Sequence, residues 1–512
     1  MRTDRRTART ADRRRATLTG AALVAVVALA GCTAGDGSTA DGVSGEAGYV
    51  QPGPDESWVV PGPDASEPPA GQVMTDPERD ALSTFALDID TGSYTRFRDA
   101  ALNGMSIDPS EVRTEEFVNY FAQDYATPQT GLDVSIDAAV LPFRPEHRLV
   151  RVGISSAAVT DEARADTDLV LVVDCSGSMS EAGKMETTKA ALRTLVSSLR
   201  ATGRVAMVCY STEARVVLEP TPVSERDGVL AAVEELSPQE STNAAAGLAL
   251  GYDLAMSMRT EGRMTRVVLI SDGVANVGET DPDGILSRIS TQAKTGINLV
   301  SVGVGITTYD DHLLEQLADQ GDGWHVYIDS DAEAERVFGT GLTGSLVVAA
   351  TDARAQVEFD PAQVSGYRLL GYENRAVADE DFRNDAIDGG EVFAGHATTA
   401  LYEVALREGS SAEPSDLPFV RATVRYLDDA GRAVERTGTL SGADVATSLG
   451  EASPRLRQDL VVAVLTDRLV GGPWSSLVSD SDLRREAKAL TGVLDGDPDV
   501  TQLVQLVDRV AT

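Results

Sequence analysis

The sequence predicts an α/β protein built on a doubly wound, mainly parallel sheet of the Rossmann-like kind. Three observations carry this. Leu169 to Met179, LVLVVDCSGSM, opens with a continuous apolar, β-branched run of the type buried on both faces of a parallel sheet. Helix and strand signals alternate from about residue 166 to residue 340. The polar side chains best suited to chemistry fall where such strands end, which is where open α/β sheets bind ligands.

Taken in order, the chain opens with a targeting segment, residues 1–31. Seven arginines (Arg2, Arg5, Arg6, Arg9, Arg13, Arg14 and Arg15) precede the short apolar run GAALVAVVALA. A basic region, a short apolar region and small residues make a secretory signal, too short for an ordinary spanning helix. Arg14-Arg15 is followed by Ala16 and Thr17, which leaves twin-arginine and general export both open. Residues 32–80 are rich in Gly, Pro, Ser and acids, with PGPD twice and no amphipathic period. They read as a flexible tether with a mean reach of about 40 Å.

Residues 81–165 read as a small α+β extension. A strand and then a helix capped near Asp90 or Thr91 fit LSTFALDIDTGSYTRFRDAALNG. Asp108-Pro109-Ser110-Glu111 offers an N-cap, a proline at N1 and an acid at N3, so a helix is expected through EVRTEEFVNYFAQDY. Asp88 and Asp90 read as capping and surface polarity rather than as metal ligands, since no second ligand cluster accompanies them. Alternating strands at 131–165 lead into the central region.

In residues 166–340 the strand at 169–173 is followed by a helix at 184–199 and a strand at RVAMVCYS. ARVVLEP is an edge strand before the helix at ERDGVLAAVEEL. A helix begins near Thr242. A strand at RVVLISDG, a helix near DPDGILSRISTQAKTG, a strand at NLVSVGVG, a helix at DDHLLEQLADQ and a strand at WHVYID complete the alternation. Residues 341–512 change character. Alternating strands (ARAQVEF, AGHATTALYEVAL, FVRATVRYL, RAVERTGTL) give way to three helices, and Asp428-Asp429-Ala430-Gly431 signals a hairpin. Asp495-Gly496-Asp497-Pro498-Asp499 lacks the full calcium-loop pattern and reads as an acidic turn capping the last helix.

The chemistry concentrates at Asp174, Ser176 and Ser178, three oxygens on one tight turn after a core strand. Clustered hard oxygens suit Mg²⁺ or Mn²⁺ rather than a soft metal. Thr242, at a helix start, and Asp272, at the end of a second apolar strand, fit the same site. Together these five residues resemble the metal-ion-dependent adhesion site (MIDAS) of von Willebrand factor type A (vWA) domains. The resemblance implies that Ser176, Ser178 and Thr242 reach the ion through hydroxyls, directly or through water. It implies that Asp174 and Asp272 bind directly or through water and orient the hydroxyls, and that an open position accepts a partner's Asp or Glu. Leu29-Ala30-Gly31-Cys32 resembles the bacterial lipobox, which implies a lipid on Cys32, export, and attachment to the outer face of the cell membrane. STFALDIDTGSYTRFR, VRTEEFVNYF and FRNDAIDGGEVFAGHATTALYEV resemble the N-terminal extension and the uncharacterised C-terminal domain of a bacterial family of vWA lipoproteins.

Composition bounds the function. The net charge is −36 and the pI about 4.4, so nucleic acid is disfavoured as a partner. There is no Walker A loop, no G-x-S-x-G elbow and no H-E-x-x-H. The histidines (His147, His312, His325, His396) are scattered; His396 has no acid or nucleophile at a telling spacing. Cys175 and Cys209 are expected as half-buried free thiols, although export permits a disulfide. The expectation is a membrane-anchored, metal-dependent protein-binding lipoprotein and not an enzyme. Two alternatives stand beside it: a metal site that captures an acid of the chain's own C-terminal domain, and a metal-assisted hydrolase.

Overall fold

The computed structural model describes residues 73–511, apart from 161–164, 182, 274–294, 306–310, 341–346, 385–386, 388, 408–415 and 429. The signal segment with Cys32, most of the tether, and most of the helix expected at DPDGILSRISTQAKTG lie outside the described residues.

In chain order, β1 (Leu82–Ala86), α1 (Gly92–Leu102), α2 (Thr114–Tyr120), β2 (Leu132–Leu141) and β3 (Arg144–Ser156) come first. The central region holds β4 (Asp166–Asp174), α3 (Lys184–Ser198), β5 (Arg204–Tyr210), β6 (Ala214–Pro222), α4 (Arg226–Glu234), α5 (Ala244–Met258), β7 (Arg263–Ser271), β8 (Asn298–Gly303), α6 (Asp311–Gln320) and β9 (Trp324–Tyr327). The last third holds β10 (Val348–Phe359), β11 (Val364–Leu370), β12 (Gly390–Phe393), β13 (Ala397–Leu406), β14 (Pro418–Leu427), β15 (Ala433–Ser441), β16 (Val445–Ala446), α7 (Pro454–Leu469), α8 (Asp480–Val493) and α9 (Pro498–Val510).

The central sheet has the order β6-β5-β4-β7-β8-β9, with only the edge strand β6 antiparallel. Alternate side chains of β4 serve opposite faces. Leu169, Leu171 and Val173 join the core under α3 and α4, while Val170 and Val172 join the one under α5. That two-sided burial is why the strand reads as an unbroken apolar run. Helix α5 lies close on the sheet because two of its turns carry glycine. A Cβ on Gly251 would come within 2.3 Å of Val172, and one on Gly247 within 2.6 Å of the Tyr210 ring.

The regions before and after the central sheet do not fold separately. β1 pairs with β10, Phe85 opposite Ala355, in a sheet of order β1-β10-β14-β15, with β12 also on β10. β3 pairs with β13, Val150 opposite Tyr402, in a sheet of order β11-β13-β3-β2-β16. One apolar core draws on both sheets, and the terminal helices build another with α1 and α2. The central α/β region is thus inserted into a β layer made from both ends of the chain, where the sequence suggests two independent flanks.

Two arginines, Arg98 buried and Arg375 half-buried, tie the parts together. Arg98 of α1 donates to Asp329 (2.6 and 2.7 Å) and Glu333 (2.9 Å) after β9 and to Tyr120 of α2. Arg375 pairs with Asp88 (3.2 Å), Asp90 (3.6 Å), Glu315 (3.7 Å) and Asp319 (3.0 Å). Asp88 and Asp90 are therefore buried ion-pair partners rather than surface caps, a correction to the sequence reading. The helix expected from Pro109 to Tyr125 is also shorter. Pro109–Glu111 forms one 3-10 turn capped by Asp108, Val112 is extended, and α2 stops at Tyr120. The interruption lets the Arg113 N–H reach Ser93 Oγ (3.0 Å) and its guanidinium reach Glu315 (2.9 Å). The hairpin at 428–431 and the cap at Asp497 are present as expected; Asp497 accepts from the Asp499 and Val500 N–H groups.

Glu403 on β13 collects Arg144 (2.7 Å), His147 (2.6 Å), Arg368 (2.8 Å) and Trp474 Nε1 (2.8 Å). Burial alone would raise its pKa, but the hydrogen bond from His147 and the neighbouring Arg368 and Arg144 hold it at about 2. A depressed carboxylate contributes stability that is present above its unfolded pKa and lost as pH falls through the folded one. Glu403→Gln is expected to destabilise the protein by about 2–3 kcal/mol at pH 7, with the difference from wild type fading between about pH 4.5 and 2. Urea denaturation across that range measures it; a pH-independent difference contradicts the ion-pair account.

Candidate metal centre

The parallel register decides which polar groups meet. Val173 of β4 stands opposite Cys209 and Ile270, and Asp174 opposite Tyr210. Asp174 is fully buried at the carboxyl edge of the sheet. One of its oxygens accepts from Ser271 Oγ (2.8 Å) and Tyr210 OH (3.1 Å), and the other from the Ser176 N–H (2.8 Å). Burial pushes its pKa up to about 6, against the opposing pull of the Ser176 hydrogen bonds. Those bonds hold the loop in a fixed turn, with Ser176 ending the strand conformation before a 3-10 turn at Gly177–Ser180.

The other oxygens follow in a chain. Ser176 Oγ lies 2.9 Å from Ser178 Oγ, and Ser178 Oγ donates to Asp272 Oδ1 at 3.0 Å. Asp272 follows the end of β7 and is buried; its second oxygen accepts from Lys184 Nζ at 2.7 Å. Lys184 is the first residue of α3 and is itself buried, with Glu181 at 3.6 Å. Thr242 is buried on the segment before α5. The Gln239 N–H on that segment donates to the Cys175 carbonyl (2.7 Å), and the Asn243 N–H to the Ser211 carbonyl (2.8 Å), which seats the segment against the Asp174–Ser178 loop. Direct hydrogen bonds thus join Asp174, Ser176, Ser178 and Asp272, and Thr242 lies buried three residues after Gln239, which is bonded to the same loop.

These residues fit a small hard cation. Two adjacent ligands of an octahedral ion at about 2.0–2.1 Å stand about 2.9 Å apart. The two oxygen separations from Ser176 through Ser178 to Asp272 are 2.9 and 3.0 Å. The donors are carboxylate and hydroxyl oxygens; among the described residues no three His, Cys, Asp or Glu side chains converge to hold a metal ion, so an ion here would depend on the hydroxyls beside the two carboxylates. Gly177 is exposed and Ser178 half-buried, so the open side of the site faces solvent there.

Three contributors are not legible as site residues in the sequence. Ser271 and Tyr210 hold Asp174, and Lys184 holds Asp272. Ser271 carries a faint signal, as the last residue of the strand that delivers Asp272. Lys184 reads in the sequence only as a failed phosphate-loop lysine. The expectation of free thiols is corrected. Cys175 and Cys209 form a disulfide, with Cα atoms 5.8 Å apart, and both are fully buried. The cause is the β4–β5 register, which sets Cys175 one residue beyond the Asp174–Tyr210 pair, its N–H donating to the Tyr210 carbonyl (2.8 Å). The bridge fixes the residue between Asp174 and Ser176 to the neighbouring strand. His396 is half-buried in the turn before β13, its pKa lowered by desolvation and its buried Nδ1 without a hydrogen-bond partner among the described residues. Among the described residues no carboxylate is hydrogen-bonded to it to orient it for base catalysis.

Three family models match the chain. A von Willebrand factor type A domain model covers residues 168–339, a von Willebrand factor model covers 67–151, and a model described as the C-terminal part of the uncharacterized protein YfbK covers 344–510. Among curated proteins the chain is 35% identical to the uncharacterized protein YfbK of Escherichia coli (strain K12) over 347 residues, 66% of this chain and 60% of that one. It is 26% identical to the uncharacterized protein sll0103 of Synechocystis over 46% of this chain and 57% of that one. The alignments thus span less than two thirds of either relative. Among solved structures, a von Willebrand factor type A protein from Catenulispora acidiphila aligns over 77% of this chain and 98% of its own, with 16% identity and a TM-score of 0.42.

The Lys184–Asp272 pair makes a specific prediction. Without a divalent cation, Lys184→Met leaves Asp272 buried and unpaired, which costs about 3–5 kcal/mol. Magnesium should restore most of that loss and bind the variant about tenfold more tightly than wild type, because one positive charge has left the site. Urea denaturation in chelator and in Mg²⁺, with calorimetric titration, tests both; an equal loss of stability under the two conditions contradicts the assignment.

Proposed function

Because this chain carries a vWA domain between a von Willebrand factor-type N-terminal region and a YfbK-like C-terminal region, we propose that it is a metal-dependent protein-binding module of the cell envelope. vWA domains commonly hold a divalent cation at a metal-ion-dependent adhesion site and serve protein–protein adhesion. In this reading Ser176 and Ser178 bind Mg²⁺ or Mn²⁺ through their hydroxyls. Thr242 adds a third hydroxyl, and Asp174 and Asp272 balance and orient the set. The remaining coordination position accepts the carboxylate of an Asp or Glu on a partner protein. Cys32 carries the lipid that anchors the chain to the outer face of the membrane, and the tether gives the folded part its reach.

The observation that supports this most is the unbroken run of oxygens from Ser176 through Ser178 to Asp272 at octahedral spacing. Charge supports it further. Two buried carboxylates, one ammonium and a divalent ion leave the loaded site at +1, on a chain of net charge −36. At long range the chain repels an acidic partner, and at contact the ion attracts one. The chain's own residues would do the remaining work. Tyr210 and Ser271 keep Asp174 oriented, and Lys184 keeps Asp272 from turning toward solvent. Among the described residues the side-chain partners of Asp174, Ser178 and Asp272 come from the central region.

The test is capture from an envelope extract on immobilised full-length protein, in Mg²⁺ and in chelator, beside Asp174→Ala. A partner retained in Mg²⁺, released by chelator and absent with Asp174→Ala supports the proposal. Equal capture under all three conditions overturns it. Titration of the same proteins with Mn²⁺ should give one site in wild type and an affinity at least tenfold lower in Asp174→Ala.

A further inference from the structure

The metal centre opens at Gly177 and Ser178, and acids stand on either side of that opening. On one side the Glu181 N–H donates to the Ser178 carbonyl (3.0 Å), and the Glu181 carboxylate lies 3.6 Å from Lys184 Nζ. On the other, a Cβ on Gly177 would come within 3.2 Å of the Gln239 carbonyl, so Glu240 follows one residue from the opening. The Glu240 carbonyl accepts from Thr212 Oγ (3.0 Å), which holds the turn carrying Glu213 against the same segment. Glu181, Glu213 and Glu240 are all exposed. Among the described residues neither Glu213 nor Glu240 has an ion-pair partner. One exposed cation, Arg215, stands nearby on β6, opposite Cys209.

These charges change what the site asks of a partner. The interior of the loaded site carries +1, and three rim acids with Arg215 turn that into −1. A carboxylate that arrives alone is attracted by the ion and repelled by the rim. One flanked by ammonium or guanidinium groups is attracted by both, since its cations meet the exposed acids while its oxygen is at the ion. A neutral flank gains nothing from the rim, and an acidic flank is repelled by it. The net charge of −36 adds the same preference for a basic partner at long range.

We infer that the centre selects a partner protein whose Asp or Glu is flanked by Lys or Arg, with Glu181 receiving the flank on one side and Glu240 and Glu213 on the other. The inference rests on the metal-dependent reading of this site and adds to it the chemical class of the partner surface. The three glutamates set specificity and do not bind the ion.

The experiment titrates the full chain, saturated with Mn²⁺ at low salt, with four peptides followed by calorimetry. They are acetyl-Gly-Lys-Asp-Lys-Gly-amide, the same peptide with glutamine or with glutamate in place of both lysines, and the lysine peptide with asparagine in place of aspartate. Each matched pair of exposed charges should contribute about threefold, so the lysine-flanked aspartate should bind about tenfold more tightly than the glutamine-flanked one. The glutamate-flanked peptide should bind least of the three aspartate peptides. Glu181→Gln combined with Glu240→Gln, both surface changes, should cut that advantage to about threefold or less without weakening the glutamine-flanked peptide. Raising NaCl to about 0.5 M should do the same in wild type. Aspartate peptides that bind in Mn²⁺ and not in chelator, but show no preference among flanks or keep it in the double variant, overturn the inference and leave the metal-dependent reading standing. An asparagine peptide that binds as tightly as its aspartate counterpart overturns both. No binding of any peptide at about 1 mM, on the order of the weakest affinity of interest, overturns the inference, and the Mn²⁺ titration of the same protein then decides the metal site alone.

Discussion

Two carboxylates kept out of water at the edge of one sheet are the constraint around which this molecule is arranged. Asp174 and Asp272 end neighbouring parallel strands, and an ionised carboxylate buried without compensation is strongly unfavourable. Each is met differently. Asp174 is surrounded by neutral donors (Ser271, Tyr210 and the Ser176 N–H), which orient it without cancelling its charge. Asp272 has a full ammonium on one oxygen and a serine hydroxyl on the other. The result is a site whose geometry is set by hydrogen bonds and whose negative charge is only partly neutralised, which leaves charge for the divalent ion of the proposed function to offset.

The rest of the fold supports that edge from a distance. The disulfide fixes the residue between Asp174 and Ser176 to β5, and the Gln239 N–H ties the Thr242 segment to the same loop. Behind the sheet, the Arg98 and Arg375 clusters join the inserted α/β region to the β layer formed by both ends of the chain. Buried ion pairs of this sort add little net stability compared with hydrocarbon, but removing one partner is costly. Their use here is to set orientation: each guanidinium has several acceptors from different parts of the chain, and few relative placements satisfy all of them.

The sequence discloses the central sheet well and the surroundings poorly, for physical reasons. β4 and β7 are legible because strands buried on both faces must be apolar throughout, so the first polar residue after the run marks the sheet edge. Asp174 is found that way, Asp272 as the acid directly after Ser271 at the end of its run, and Ser176 and Ser178 by their place on the turn. The β layer is not legible, because pairing Val150 with Tyr402 or Phe85 with Ala355 depends on contacts more than 250 residues apart that leave no local pattern. Asp88 and Asp90 look like surface caps until Arg375 arrives from the far end of the chain. The disulfide likewise depends on a register that brings two strand ends to 5.8 Å. Lys184 is the most instructive miss: a lysine at a helix start has no local reason to be buried, and its role exists only through Asp272.

The account rests on a hard cation held by these oxygens, and anomalous diffraction from crystals grown with Mn²⁺ tests it most directly. The predicted result is one strong peak at the carboxyl edge of the central sheet, about 2.1 Å from Ser176 Oγ and Ser178 Oγ, with Lys184 still on Asp272. Crystals saturated with Mn²⁺ that show no peak there, or a peak bound only elsewhere on the chain, would contradict it.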